Sequence, residues 1–88
     1  MNKTDTLEKT SEETIQQSSI ILWNDEVNSF DWVIDCLVRV LGQNKLQAEQ
    51  CAYMVHHKGK CDVKRGWYEE LEPYSQKLKD LGLTTTIE

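Results

Sequence analysis

The chain has no apolar run that approaches the roughly 20 residues needed to cross a bilayer. Its first residues also lack the basic start and apolar core of a secretory signal. There is no GxSxG elbow, no P-loop and no glycine-rich dinucleotide turn, which removes the nucleophile and phosphate chemistries those motifs serve. Histidine is scarce: His56 and His57 are the only two. Acid–base or nucleophilic catalysis would draw on one of them, and so small a set of candidates on so short a chain reads as non-catalytic. Cys36, Cys51 and Cys61 are an odd set without CxxC spacing. Cys36 and Cys51 fall in apolar patterns, where a free thiol behaves as a small hydrophobe, so a reduced, cytoplasmic protein is expected. His56, His57 and Cys61, with Asp25 or Glu26, offer nitrogen, sulfur and oxygen donors for a metal. Adjacent helical side chains diverge by about 100°, however. Two histidines at a helix C-terminus, favoured by the helix dipole, are the simpler reading, and neither a metal nor a cofactor is expected.

What is present is acidic. Fifteen Asp and Glu against ten Lys and Arg give a net charge of −5 over 88 residues. Nucleic-acid binding draws its affinity from clustered cations on phosphates, and here Lys58, Lys60, Lys64 and Arg65 form the only local cluster. Neither a nucleic acid nor a membrane is expected as a partner, whereas a cationic partner suits the charge.

Residues 1–19, "MNKTDTLEKTSEETIQQSS", hold only Leu7 and Ile15 as large aliphatics. Such a stretch buries too little apolar surface to offset its ordering entropy, so a flexible extension over 1–19 and one core domain over 20–88 are expected. Within the core, Ile20–Trp23 reads as a buried strand. Phe30, Val33, Ile34, Leu37 and Leu41 follow at helical spacing, with Asn28 or Ser29 as the cap and Gly42 as the stop. Asn44 with Gln47 opens a second helix whose inner face is Ala48, Cys51, Ala52 and Val55, closed by Gly59. Cys61 to Lys64 alternates like a half-exposed strand. Trp67, Leu71, Tyr74, Leu78 and Leu81 form a helical stripe that begins or bends near Pro73. "LTTTI" closes the chain as a strand. The order β-α-α-β-α-β predicts an α+β two-layer sandwich, a small sheet of three short antiparallel strands covered on one face by three helices.

The stretch "LWNDEVNSF" carries more polarity than this fold requires. Asn and Asp commonly end strands and cap helices, but the cap belongs to Asn28 or Ser29. Asn24, Asp25 and Glu26 are then surplus to it. They suit an ordinary turn, a cation site, or one side of a ligand pocket that holds an ammonium beside apolar side chains.

"WNDEVNSFDWVIDCL" resembles the "VNDDxTPMxFVxxVL" segment of the ClpS family, adaptors of the bacterial N-end rule. "MVHHKGKC" resembles the family's "xVHxxGxa" segment, and the terminal "GLTTTIE" its final "PLxxxxE" strand. The ND-acid turn, a helix and a VHxxGK segment occur in the family's order across residues 20 to 88. The resemblance implies a fold similar to the C-terminal domain of the ribosomal stalk protein L7/L12, and adaptor function without catalysis. ClpS proteins bind N-degron proteins through a first residue Leu, Phe, Tyr or Trp and its free α-amino group. They deliver them to a Clp AAA+ unfoldase, ClpA- or ClpC-like, for degradation by ClpP. Carried over by residue, Asn24, Asp25 and His56 match the amino-group site. Glu26, Asn28, Phe30, Val33, Ala52, Val55 and Leu83 match positions in or beside the pocket for the first side chain. Glu69 corresponds to the unfoldase-docking surface, and the N-terminal extension to a segment the unfoldase engages.

The chemistry of these residue types agrees with that assignment. An α-ammonium, with a pKa of about 7.7–8.0, is favoured by a nearby carboxylate. Asn24 accepts through its carbonyl, and a neutral His56 through a ring nitrogen. Charge-assisted hydrogen bonds contribute about 1.5–3 kcal/mol each, and burying a Leu or Phe side chain about the same, so neither half suffices alone. This chain departs from the family at Glu26, usually Asp, at Phe30, where a Met is common, and at Ala52, where another Met commonly lines the pocket mouth. Leu and aromatic first residues are expected to bind, and Ile and Val poorly. The alternative is an L7/L12-like interaction domain that does not read N-termini.

Overall fold

The structure, a computed structural model, describes residues 16–88. Its elements run β1 (Ser18–Trp23), α1 (Phe30–Leu41), α2 (Lys45–Lys58), β2 (Lys60–Gly66), α3 (Tyr68–Asp80) and β3 (Thr84–Ile87). The three strands form one antiparallel sheet, as the sequence pattern predicts, and their order in it is β2-β1-β3. Of the expected 1–19 extension, residues 1–15 lie outside the described residues, while Ser18 and Ser19 already belong to β1. Ser19 exchanges backbone hydrogen bonds of 2.7 and 2.9 Å with Glu88, which lengthens the strand beyond its apolar run.

β1 takes the central place, paired with β2 along one edge and with β3 along the other. Ile20 and Leu22 point into the helical layer and are fully buried among Leu37, Leu71 and Leu78. On the opposite face the Trp23 indole donates to the Thr86 hydroxyl at 2.8 Å, and the Lys60 ammonium lies 5.2 Å from the Trp23 ring centre.

β2 extends beyond its expected span, and it contains a bulge. Ile20 pairs with Lys64 and Ile21 with Asp62, so Val63 is the extra residue. Its carbonyl accepts instead from the Gln43 amide at 3.0 Å. Gln43 follows Gly42 at the end of α1 and is buried there, its Nε2 satisfied by this bond and its Oε1 without a partner among the described residues.

The helix ends follow the sequence closely. Ser29 caps α1, its hydroxyl accepting from the Trp32 N–H at 3.1 Å, and Asn44 caps α2 by accepting from the Gln47 N–H at 2.8 Å. α3 begins before Pro73 and runs through it. The N–H that proline lacks would have bonded the Glu69 carbonyl in the exposed first turn, where water can replace it. α3 has no side-chain cap, and Glu69 and Glu70 in its first turn complement the helix dipole instead. Burial, with the Asp35 carboxylate beside it, pushes the Cys36 thiol up; burial and the neighbouring Cys51 push Cys61 up to about 12. Both thiols are therefore held in the protonated, unreactive form at neutral pH.

Candidate functional site

The polar turn between β1 and α1 is held at three points. Asn24 leaves the sheet with its N–H donating to the Gly59 carbonyl at 2.9 Å, which ties it to the end of α2. Gly59 sits at φ +94°, a left-handed conformation that side chains disfavour, and this lets α2 stop and present that carbonyl. Asp25 closes the turn itself. One carboxylate oxygen accepts from the N–H groups of Val27 and Asn28, both at 3.0 Å, and the other from the Thr84 hydroxyl at 3.1 Å. Asn28, released from capping by Ser29, donates its amide to both Asp25 oxygens and to the Gly82 carbonyl at 2.8 Å. Burial raises the Asp25 carboxyl, but the hydrogen bonds from Asn28, Val27 and Thr84 outweigh it and hold it below the usual carboxylate value.

Beside this turn lies a narrow cavity of about 30 Å³ lined by Asn24, Asn28, Phe30, Val33, Ala52, Val55 and His56. Seven of the residues singled out from the sequence thus converge on one spot from the turn, α1 and α2. Val33, Ala52 and Val55 are buried and make its apolar floor. Asn24 and His56 are exposed and supply its polar rim. Phe30, 42% exposed, stands at the mouth. The pocket therefore joins an apolar slot to hydrogen-bonding groups, an arrangement suited to a ligand with a greasy side chain next to a polar terminus.

The remaining expected residues lie elsewhere. Asp25 is absent from the pocket lining and fastens the turn, as in the ordinary-turn alternative the sequence left open. Glu26 is exposed and outside the pocket lining. Leu83 is buried in the core below the site, its N–H bonded to the Leu78 carbonyl at 3.0 Å. Glu69 is exposed on α3. Among the described residues, no group of three or more His, Cys, Asp or Glu is arranged to hold a metal ion. Sequence reasoning missed Thr84 and Gly82, which anchor the turn from a distant segment and carry no local signal of doing so. It also missed an outward apolar stripe on α2, Leu46, Tyr53 and Met54, which does recur at helical spacing.

A family model described as ATP-dependent Clp protease adaptor protein ClpS matches residues 13–86. Curated relatives include a ClpS adapter protein of Campylobacter jejuni, 39% identical over 59 residues, covering 67% of this chain and 62% of the relative. Another, from Synechocystis, is 35% identical over 81 residues, covering 91% of this chain and 83% of the relative. The chain thus spans 62% of the length of the Campylobacter relatives. Among solved structures, Agrobacterium tumefaciens ClpS2 bound to L-phenylalaninamide superposes with a TM-score of 0.79 at 20% identity, over 83% of this chain and 95% of that one. The matched span and the shared architecture agree: this chain belongs to the ClpS family of Clp protease adaptors.

Proposed function

We propose that this protein is a non-catalytic, cytoplasmic adaptor. It binds proteins by a first residue Leu, Phe, Tyr or Trp together with its free α-amino group, and delivers them to a Clp AAA+ unfoldase, ClpA- or ClpC-like, and its ClpP peptidase. The observation that carries this reading is the pocket itself, in which a Val33–Ala52–Val55 floor meets the Asn24 and His56 rim. A related fold bound to phenylalaninamide, a single aromatic residue with a free amino group, supports the same ligand class.

In this reading Asn24 and His56 accept hydrogen bonds from the ammonium, and the Asp25 carboxylate behind them favours its charged form. A cavity of about 30 Å³ has room for about one water. A Leu or Phe side chain therefore enters only if the half-exposed Phe30 ring turns aside, which makes Phe30 the gate. An internal Leu in a substrate offers no ammonium, and a polar N-terminal residue gains nothing from the floor. Glu69, exposed in the first turn of α3, is the docking residue for the unfoldase in this account.

The test is a fluorescence-anisotropy titration of peptides beginning with Leu or acetyl-Leu, repeated with His56→Ala. Acetylation removes the charge and is expected to weaken binding about a hundredfold, about 2.7 kcal/mol. His56→Ala is expected to lower affinity for the free peptide but not for the acetylated one. Equal binding of both peptides would falsify the proposal.

A further inference from the structure

A second, much larger depression runs along the outer side of α2. Its volume is about 700 Å³; Phe30, Leu46, Tyr53, Met54 and His57 line it, with Glu49, Gln50 and Lys58 also on its walls. α2 is apolar on two sides: Ala48, Ala52 and Val55 face the core, while Leu46, Tyr53 and Met54 remain 65, 60 and 47% exposed. An exposed apolar patch of this kind is a candidate contact surface. The Tyr53 and His57 rings lie 4.0 Å apart between centres, which gives the groove a paired aromatic wall. From Leu46 to His57 the helix advances about 16 Å, room for about five residues of extended chain at about 3.3 Å each.

The groove is continuous with the small pocket. Phe30 lines both cavities, and the adjacent His56 and His57 line one each. The two sites thus meet at one residue, Phe30, whose ring borders both. In an extended chain the first and third side chains point the same way, about 6.6 Å apart, while the second points opposite. If the chain leaves the pocket past Phe30, its third side chain reaches the groove.

We propose that the groove binds the third residue of the same N-terminal peptide and selects a large apolar or aromatic side chain there. This rests on the reading of the small pocket as an N-terminal-residue site. It adds a second specificity position, so that bulky first residues are not all equivalent in their sequence context.

Labelled peptides beginning Leu-Ser-Ser, Leu-Ser-Trp, Leu-Trp-Ser and Ser-Ser-Ser, titrated against the full chain by fluorescence anisotropy, test it. Trp at position three is expected to tighten binding about tenfold, about 1.4 kcal/mol, and Trp at position two to give little gain. Tyr53→Ser with Met54→Ser should abolish that gain and leave Leu-Ser-Ser binding unchanged, since neither residue lines the small pocket. Equal affinities for Ser and Trp at position three, an equal gain at position two, or a gain that survives the double variant overturns the inference while the pocket reading stands. Failure of Leu-Ser-Ser to bind better than Ser-Ser-Ser sinks the pocket reading as well. Sedimentation showing a dimer that the double variant dissociates would assign the groove to a second copy of the chain, and would also overturn the inference.

Discussion

Replacing Asp25 by alanine and, separately, by asparagine distinguishes its hold on the turn from its charge. One oxygen accepts from the N–H groups of Val27 and Asn28, and the other from the Asn28 amide and the Thr84 hydroxyl. Taking each backbone bond at about 1 kcal/mol and the side-chain bonds together at a similar amount, alanine is expected to cost about 2–3 kcal/mol. Asparagine keeps an oxygen for Val27 and Asn28 and loses chiefly the contacts of the second oxygen, so about 1 kcal/mol is expected. Urea titrations with an unchanged slope measure both differences. The pH dependence supplies an independent check. The folded-state pKa lies below the unfolded value of about 3.9. The stabilisation is therefore complete above that value and is lost as pH falls through the depressed one. The gap between wild type and Asp25→Asn should accordingly narrow below about pH 4. A cost below about 0.5 kcal/mol for alanine, or equal costs for both variants, would refute the turn-holding role.

Three further outcomes are expected. Gly59→Ala meets no neighbouring atom but forces a side chain into φ +94°, so it should cost about 1–2 kcal/mol in stability. It should also weaken binding of Leu-initiated peptides by shifting Asn24. Peptides beginning with Ile or Val should bind at least about tenfold more weakly than Leu, because branching at Cβ stiffens and widens the side chain where Phe30 narrows the mouth; equal affinities for Ile and Leu in anisotropy would refute this. Removing residues 1–15, rather than 1–19, spares the Ser18–Ser19 part of β1. That truncation should leave peptide binding intact and slow degradation of a Leu-initiated protein by the Clp unfoldase and peptidase, and an unchanged degradation rate would remove the delivery role.

The element order, the helix caps and the core faces were legible because each rests on local chemistry: Ser29 and Asn44 accept from N–H groups three residues ahead, and Gly42 and Gly59 take left-handed stops. The convergence of Asn24, Val33, Ala52, Val55 and His56 was legible only through the family resemblance, since no periodicity brings a turn next to the end of α2. What escaped the sequence depends on contacts between distant segments. The Val63 bulge and its Gln43 partner, and the Thr84 and Gly82 bonds to the turn, connect positions far apart in the chain. Asp25 shows the opposite difficulty. Its residue type suits a turn and a cation site equally, and only the geometry shows that its oxygens are engaged by the turn. The outward stripe of α2 is readable from spacing, but it shares the helix with the inner face of Ala48, Ala52 and Val55, which leaves α2 without one clear apolar side.

An NMR titration of the ¹⁵N-labelled chain with leucinamide and with N-acetyl-leucinamide tests the central claim most directly. The account predicts that leucinamide shifts the amides of Asn24, Val33, Ala52, Val55 and His56 in a saturable way, and that the acetylated ligand leaves them in place. Matching shifts from both ligands, or shifts confined to α3, would contradict it.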